Sequence, residues 1–521
     1  MAAFENRAFD PVATDVAPGR SVSRRMRVAR LGAAFLFLTG CAVGPDFTRP
    51  EAPKVSDYHK EPLPDATASA DTQGGAAQRL VKGENIPAQW WALFHNTALN
   101  DLVAESIKAN PDLQSARAAL RAAMENVGAQ EGSYYPSIGA GFGATRANNS
   151  NPLSPTLASG QLLYNLYQAQ LSANWTIDVW GGNRRAVEAL QAQADGQHYQ
   201  LEAVYIALTT NVVAAAVQEA SLREQIAATE SIIKAESDSL DILHRQYQLG
   251  QIAGADVAAQ DAALAQAQQA LPPLQKQLAQ QRDLLTLLAG RLPSEQIGET
   301  FELGALQLPQ DVPVSIPSKL IDQRPDIRIA EENMHAASAE VGVAIANMLP
   351  NITITAGAGS VATEMGQLFT PGAGFWSVAG GVTQPLFEGG TLLHKTRAAR
   401  ATYEQAQSQY RSAVDTAFQN VADTLYALQY DADTLKAAAA SEHAAADSLA
   451  ITRRQLQLGA ISYVALLTAQ QTYQQAVITR IQAQAGRLAD TAALFQAVGG
   501  GWWNGPDIST TQTADRGEQV R

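Results

Sequence analysis

The run Tyr167-Gln-Ala-Gln-Leu-Ser-Ala-Asn-Trp-Thr-Ile-Asp-Val179 alternates apolar and polar side chains without a break. Successive side chains of a strand point to opposite sides. Tyr167, Ala169, Leu171, Ala173, Trp175, Ile177 and Val179 would therefore share one face, and Gln168, Gln170, Ser172, Asn174, Thr176 and Asp178 the other. One apolar and one wet face over this length is the pattern of a strand with lipid on one side and water on the other. Three further runs fit it: residues 137–147, with Ile138, Ala140, Phe142 and Ala144 on one side, then 352–358 and 376–383. Each is near the ~9–11 residues that a tilted membrane strand needs. A pair of soluble hairpins is the competing reading. Against it stand the aromatics at the strand ends, Tyr134, Tyr135, Trp180, Phe375, Trp376 and Phe387, which suit an interfacial girdle.

Four strands do not close a barrel, since bacterial membrane barrels start at about eight and use even numbers. An open edge in lipid leaves N–H and C=O groups without partners and is excluded. Several chains must share one barrel. Two, three or four copies all satisfy the strand count, and the count does not choose among them.

The chain repeats itself around these strands. Asn110-Pro-Asp-Leu113 recurs as Arg324-Pro-Asp-Ile327, and Tyr135-Pro136 as Leu349-Pro350, at one constant offset. Gly181-Gly182 returns as Gly389-Gly390, and Arg245-Gln-Tyr-Gln-Leu249-Gly250 as Arg454-Gln-Leu-Gln-Leu458-Gly459. The landmarks keep their order, so one unit of a helix, two strands and two long helices is used twice. Residues 183–249 hold no proline, residues 391–458 neither proline nor glycine, and Ala, Leu, Gln and Glu dominate both, all strong helix formers. About 67 residues at about 1.5 Å each make a rod of roughly 100 Å. Return helices are expected over 255–288, interrupted at Pro272-Pro273, and over 462–498. Alanine-rich rods of this length must pack on neighbours in coiled-coil fashion. The turns at Gly250 and Gly459 carry glycine where a helix ends, which places two tight hairpins at the end far from the strands.

The chain has 521 residues, a net charge of −13, one cysteine and seven histidines. The acidic balance argues against a nucleic-acid surface, which needs a basic stripe. A lone cysteine forms no internal disulfide, and the histidines never fall at metal-ligand spacing. Gly139, Gly141, Gly143, Gly357 and Gly359 lie inside strand-like runs and open no helix, so they are no nucleotide loop. Glu331-Glu332 reads as a solvated charge pair on a helix after Pro325. No catalytic motif is present, and an enzyme is not expected.

The N-terminus reads as an address. Arg24, Arg25, Arg27 and Arg30 precede the apolar run 31–38, which ends in Leu38-Thr39-Gly40-Cys41. A basic region, a short apolar core and small residues describe a secretory signal peptide, and the ending resembles a bacterial lipobox whose cysteine, Cys41, carries the lipid. Met26 offers an alternative start, so residues 1–25 stay outside the fold argument. Residues 42–85 are rich in Pro, Ala, Asp and Thr and read as an extended, poorly packed arm. After Leu38 no stretch reads as a transmembrane helix.

Longer motifs carry a resemblance. They are Trp90-Trp-Ala-Leu-Phe94 with Leu99-Asn-Asp-Leu102, the two Pro-Asp turns, Ile316-Pro-Ser-Lys-Leu320, Gln384-Pro-Leu-Phe387-Glu-Gly-Gly390 and Gly499-Gly-Gly-Trp502-Trp503. From about Cys41 to Trp503 the chain resembles the TolC-like outer-membrane factors of tripartite export pumps, in their NodT-like lipoprotein branch. The resemblance implies an α+β membrane channel. Each chain gives four β-strands to a shared trimeric 12-strand outer-membrane barrel, continued by a long periplasmic α-helical coiled-coil barrel. The implied organisation is leader and signal peptide 1–40, arm and equatorial region 41–100, repeat one 101–290, connector 291–322, repeat two 323–498 and an equatorial tail 499–521. The implied partners are two more copies of the chain, a periplasmic adaptor, an inner-membrane proton-driven transporter and outer-membrane lipid, with no nucleic acid and no cofactor beyond covalent lipid on Cys41. The hairpin tips Arg245, Leu249, Gly250, Arg454, Leu458 and Gly459 would meet the adaptor. Val464 and Thr468 would stand at the pore gate, where the family often has an acid at the second position. Asp256 or Asp261 could supply negative charge there instead. The function implied is a passive, outer-membrane export duct for small molecules, in a Gram-negative bacterium, its path lined in large part by the acidic balance. Outer channels for protein or metal-ion export, and a lipid-anchored structural coiled coil, are the alternatives.

Overall fold

The structure, a computed structural model, describes residues 42–61, 64–148 and 163–509. The expected leader and Cys41 lie outside the described residues. In chain order the elements are β1 Arg79–Lys82, α1 Thr97–Ala109, α2 Pro111–Glu131, β2 Ser137–Asn148, β3 Leu163–Ile177, α3 Gly182–Gln248 and α4 Gly254–Leu288. There follow β4 Asp311–Val314, α5 Pro317–Gln323, α6 Pro325–Ala346, β5 Asn351–Ala362, β6 Gly374–Thr383, α7 Thr391–Gln457 and α8 Tyr463–Ala497.

The two copies of the repeat start their helices differently on one plan. Proline stands at the first helical position of both α2 and α6, where its fixed φ suits a helix and its missing N–H is not needed. In the first copy Asn110 caps the end, its side chain accepting from the N–H groups of Asp112 at 2.9 Å and Leu113 at 3.3 Å. In the second, Arg324 takes that place. Its guanidinium pairs with Asp326 and donates to the Ala497 carbonyl at 2.8 Å, so the turn is bolted to the end of α8.

β3 ends at Ile177 rather than at Val179 because Asp178 leaves the sheet to cap α3. Its carboxylate accepts from the N–H groups of Asn183 and Arg184, both at 3.0 Å, at the positive end of the helix dipole. The rods α3 and α7 each run 67 residues, roughly 100 Å. On α7 the buried positions Val421, Leu425, Leu428, Ala432 and Leu435 step alternately by four and three, a coiled-coil seam.

Pro272 and Pro273 do not interrupt α4, which is one helix of 35 residues with both prolines inside it. Both prolines are exposed, as are Gln268 and Gln269 four residues earlier, so the carbonyls left without a helical N–H lie on the wet side of the rod. The reading that no segment after Leu38 could pass for a transmembrane helix also needs correction. One window of α3 is long and apolar enough, but 61% of it is buried inside the protein. There α3 is a core helix, with Val212, Val213, Ala216, Val217 and Ala220 all buried.

The arm is extended, yet it is tightly docked. β1 pairs in parallel with β4 of the connector. Trp90 stacks on Phe495 of α8 at 5.1 Å and meets Trp91 and Phe94 edge-on. Trp502 of the tail donates to the Gln323 carbonyl at 2.8 Å. Arm, connector and tail thus wrap one waist of the helices. Glu331 and Glu332 are buried as well, against the expectation of a solvated pair. Glu331 binds Arg49 at 3.0 Å and Arg328 at 2.6 Å. Hydrogen bonds that its ring nitrogens donate to the Glu332 and Glu188 carboxylates hold His335 above the ordinary imidazole value against its burial, and Phe47 stacks on its ring at 4.3 Å. Burying two carboxylates is tolerable only with such partners; Arg328 and His335 lie on the same helix, and Arg49 comes from the arm, far away in sequence.

Candidate functional site

The expected duct needs a wall and an entrance, and each is built from different residues. The wall is the antiparallel sheet β2-β3-β5-β6. Its register aligns Ile138 with Ala173, Leu171 with Ala358 and Ala358 with Trp376 on one face. That face is apolar and bare, with Ile138 at 75% and Trp376 at 79% exposure and Phe142, Leu171, Val378 and Val382 also exposed. Apolar surface of this extent belongs against lipid. The opposite face therefore looks inward. It carries Ser137, Gly139, Gly141, Gly143 and Thr145 on β2, Gln168, Gln170, Ser172, Asn174 and Thr176 on β3, Thr353, Thr355, Gly357 and Gly359 on β5, and Phe375, Ser377 and Ala379 on β6. Among the described residues this inward face carries no Asp, Glu, Lys, Arg or His, so the acidic balance of the chain does not line this part of the path. Among the described residues, strands β2 and β6 are both unpaired on one side, which lipid does not permit.

The hairpin tips, the expected entrance, lie at the other end, and the two turns are the same turn. At the first, the N–H of Leu249 bonds the Arg245 carbonyl, Gly250 the Tyr247 carbonyl and Gln251 the Gln246 carbonyl. At the second, Leu458, Gly459 and Ala460 repeat this on Arg454, Leu456 and Gln455. This is the Schellman ending, which needs a left-handed residue, and Gly250 and Gly459 both sit at φ 71°. Open space surrounds both glycines, and Leu249 and Leu458 are exposed beside them. Arg245 and Arg454 serve the turns through their carbonyls.

Val464 is exposed, and Thr468 one turn later donates its hydroxyl to the Val464 carbonyl at 3.0 Å. Both occupy one open face of α8. Asp256 lies in the first turn of α4, and Asp261 is exposed. Beside them the structure brings together a cluster that sequence reasoning missed. The Tyr463 hydroxyl donates to Gln260 Oε1 at 2.6 Å. The Gln260 amide donates to Glu236 at 2.6 Å, and the Gln474 amide reaches the other Glu236 oxygen at 3.0 Å. Glu236 and Gln260 are buried, and burial pushes the Tyr463 hydroxyl up to about 12. The cluster ties α3, α4 and α8, and so fastens one hairpin to the other. Its members stand far apart in a background of Ala and Gln, with no motif to mark them.

Residues 102–291 and 316–500 match the family described as outer membrane efflux protein. The chain belongs to the outer membrane efflux protein family. It is 29% identical over 475 residues to the toluene efflux pump outer membrane protein TtgC of Pseudomonas putida, covering 91% of this chain and 95% of that one. It is 27% identical to the probable outer membrane lipoprotein SilC of Salmonella typhimurium, over 92% of this chain and 99% of the relative. Its fold overlays the Campylobacter jejuni CmeC outer membrane channel with a TM-score of 0.80 at 22% identity, over 90% of this chain and 97% of the other. Within the family three chains set their sheets side by side, which removes the open edges of β2 and β6. This efflux protein is an outer-membrane channel whose helical tunnel extends into the periplasm.

Proposed function

We propose that this chain is the passive outer duct of a tripartite pump that exports small molecules, joined at its hairpin tips to a periplasmic adaptor and through it to an inner-membrane, proton-driven transporter. The observation that carries this reading is the duplicated tip. Two identical Schellman turns, each with an exposed leucine beside a glycine in open space, leave a surface that none of the described residues covers. Tight helical turns that end in Gly and Leu offer a shallow apolar notch to a partner's helices. The uncharged inward face of the sheet supports a broad cargo range, since it holds no ring of charge to reject either sign. Export of toluene-like solutes, after the named relative, is the first substrate class to test. We place the lipid anchor on Cys41, just before the docked residues Ala42 and Val43; Val43 bonds the Trp180 carbonyl at 2.9 Å at the foot of the sheet, a position level with a membrane surface. Val464 and Thr468 are assigned to the resting constriction, with Thr468 supplying no charge.

The decisive experiment replaces Gly459 by Glu. A non-glycine residue at φ 71° costs roughly 1 kcal/mol locally, which leaves the trimer folded, while the carboxylate fills the notch. Cross-linking to the adaptor and export should both fall. Unchanged cross-linking with intact export would overturn the tip assignment.

A further inference from the structure

The apolar outer face of the sheet does not end where β6 ends. Leu386 and Phe387, just beyond it, are 92% and 89% exposed, and Leu393 in the first turn of α7 is exposed as well. Arg397 and Arg400 follow, both exposed.

The buried seam of α7 fixes the side on which they stand. Thr396, Ala417 and Val421 are buried in it. Arg397, Phe418 and Ala422 each stand one residue later, and Leu393 and Arg400 keep the same step behind the half-buried Leu392 and Ala399. Residues at one fixed step from a seam share one side of a helix. The arm grips α7 on that side, with Tyr58 against Phe418 at 5.6 Å and His59 bonded to the Ala422 carbonyl at 3.0 Å. The arm wraps the outside of the helices, so Leu393, Arg397 and Arg400 face outward and not into the tunnel.

Their depth follows from the helix rise. Arg397 and Arg400 lie about 6 and 10 Å past Leu393, at about 1.5 Å per residue. Helical side chains lean towards the N-terminus, here towards the membrane, which brings both guanidiniums up to a headgroup layer about 5–7 Å deep. Among the described residues neither guanidinium has an ion pair or a hydrogen bond, and Glu404, one turn further down the same side, pairs with neither. The matching places in the first repeat hold Ala189 and Ala192, both buried, so the charge is particular to this side of α7.

We propose that Arg397 and Arg400, with Leu393 above them, seat one anionic phospholipid of the leaflet that faces the periplasm. The two guanidiniums hold the headgroup phosphate, whose oxygens match their forks, and an acyl chain runs up over Leu393 onto the apolar face. Charge complementarity and continuity with the lipid-facing wall select this occupant. A zwitterionic headgroup brings no net charge to the pair, and a free phosphate gains nothing from Leu393.

Native mass spectrometry of the purified, full-length trimer tests this, with phosphatidylglycerol and phosphatidylethanolamine of matched acyl chains added in equal amounts. The wild type should retain phosphatidylglycerol in preference. One arginine beside an anionic lipid contributes about fivefold in affinity. The double variant Arg397→Gln, Arg400→Gln should therefore bind phosphatidylglycerol about 25-fold more weakly and phosphatidylethanolamine as before. The double variant Arg397→Lys, Arg400→Lys keeps the charge and should keep most of the preference. Equal retention of the two lipids by the wild type, a Gln variant that still prefers phosphatidylglycerol, a Lys variant that behaves like the Gln variant, or displacement of the lipid by inorganic phosphate would overturn the seat. So would a Gln variant that no longer forms trimers, since that would place the arginines in the joint between chains.

Discussion

Replacing Glu236 by Ala should loosen the tunnel entrance. In the folded chain this carboxylate accepts from Gln260 at 2.6 Å and from Gln474 at 3.0 Å, and Gln260 in turn accepts from Tyr463 at 2.6 Å. Alanine takes the acceptor from the part-buried Gln474 amide and one of two acceptors from the buried Gln260 amide, which keeps the residue-236 carbonyl at 2.8 Å; a buried donor left without a partner costs about 1–3 kcal/mol. The linkage between the hairpins should therefore weaken by about 1–3 kcal/mol. A shift of 2.8 kcal/mol is about a hundredfold in an opening equilibrium. Tyr463→Phe removes only the outermost donor and should cost about 0.5–1.5 kcal/mol. Hydrogen exchange at residues 245–256 and 454–466 reads the opening directly, and single-channel recording reads its consequence as a raised open probability. The order Glu236→Ala above Tyr463→Phe above wild type is the signature of a cluster that fastens the hairpins. If tip exchange in Glu236→Ala matches the wild type while the protein remains folded, the cluster does not hold the entrance and this reasoning fails.

Cys41→Ala should abolish metabolic labelling with fatty acid, and label that persists elsewhere refutes the anchor site. Val464→Ala removes two methyl groups from the open face of α8 and should raise passive leak through the resting channel; an unaltered conductance places the constriction at another level. Glu202 is 4% exposed, and burial together with the nearby Asp507 pushes its carboxyl up to about 8. A folded value raised above the unfolded one means that the folded state binds the extra proton, so Glu202 lowers stability as pH climbs from about 4.5 towards 8, with no further loss above. Thermal unfolding of Glu202→Gln should lack that part of the slope, and an unchanged profile would show that the tail leaves Glu202 ionised.

The strands, rods and tips were legible because each is written in a local code. Period two in residues 167–179, the absence of helix breakers over 183–249 and glycine at Gly250 and Gly459 act within a few residues of where they appear. Local codes misled where tertiary contact supplies the missing partner. Pro272-Pro273 spells a break, but exposed carbonyls make it harmless. Glu331-Glu332 spells a solvated pair, but Arg49 from the arm and Arg328 meet it in the interior. The Glu236 cluster left no signature, since its members are single polar residues in coiled-coil sequence whose meaning is set by the helix across from them.

By itself the sequence determined the parts of this protein: what is strand, what is rod, where each hairpin turns, and that one chain has too few strands to seal a membrane. Those features depend on backbone preference and side-chain period, which act over short stretches. Only the tertiary structure decided which buried polar groups find one another, because a carboxylate's partner, and hence its charge, is fixed by what folding brings to within about 3 Å of it.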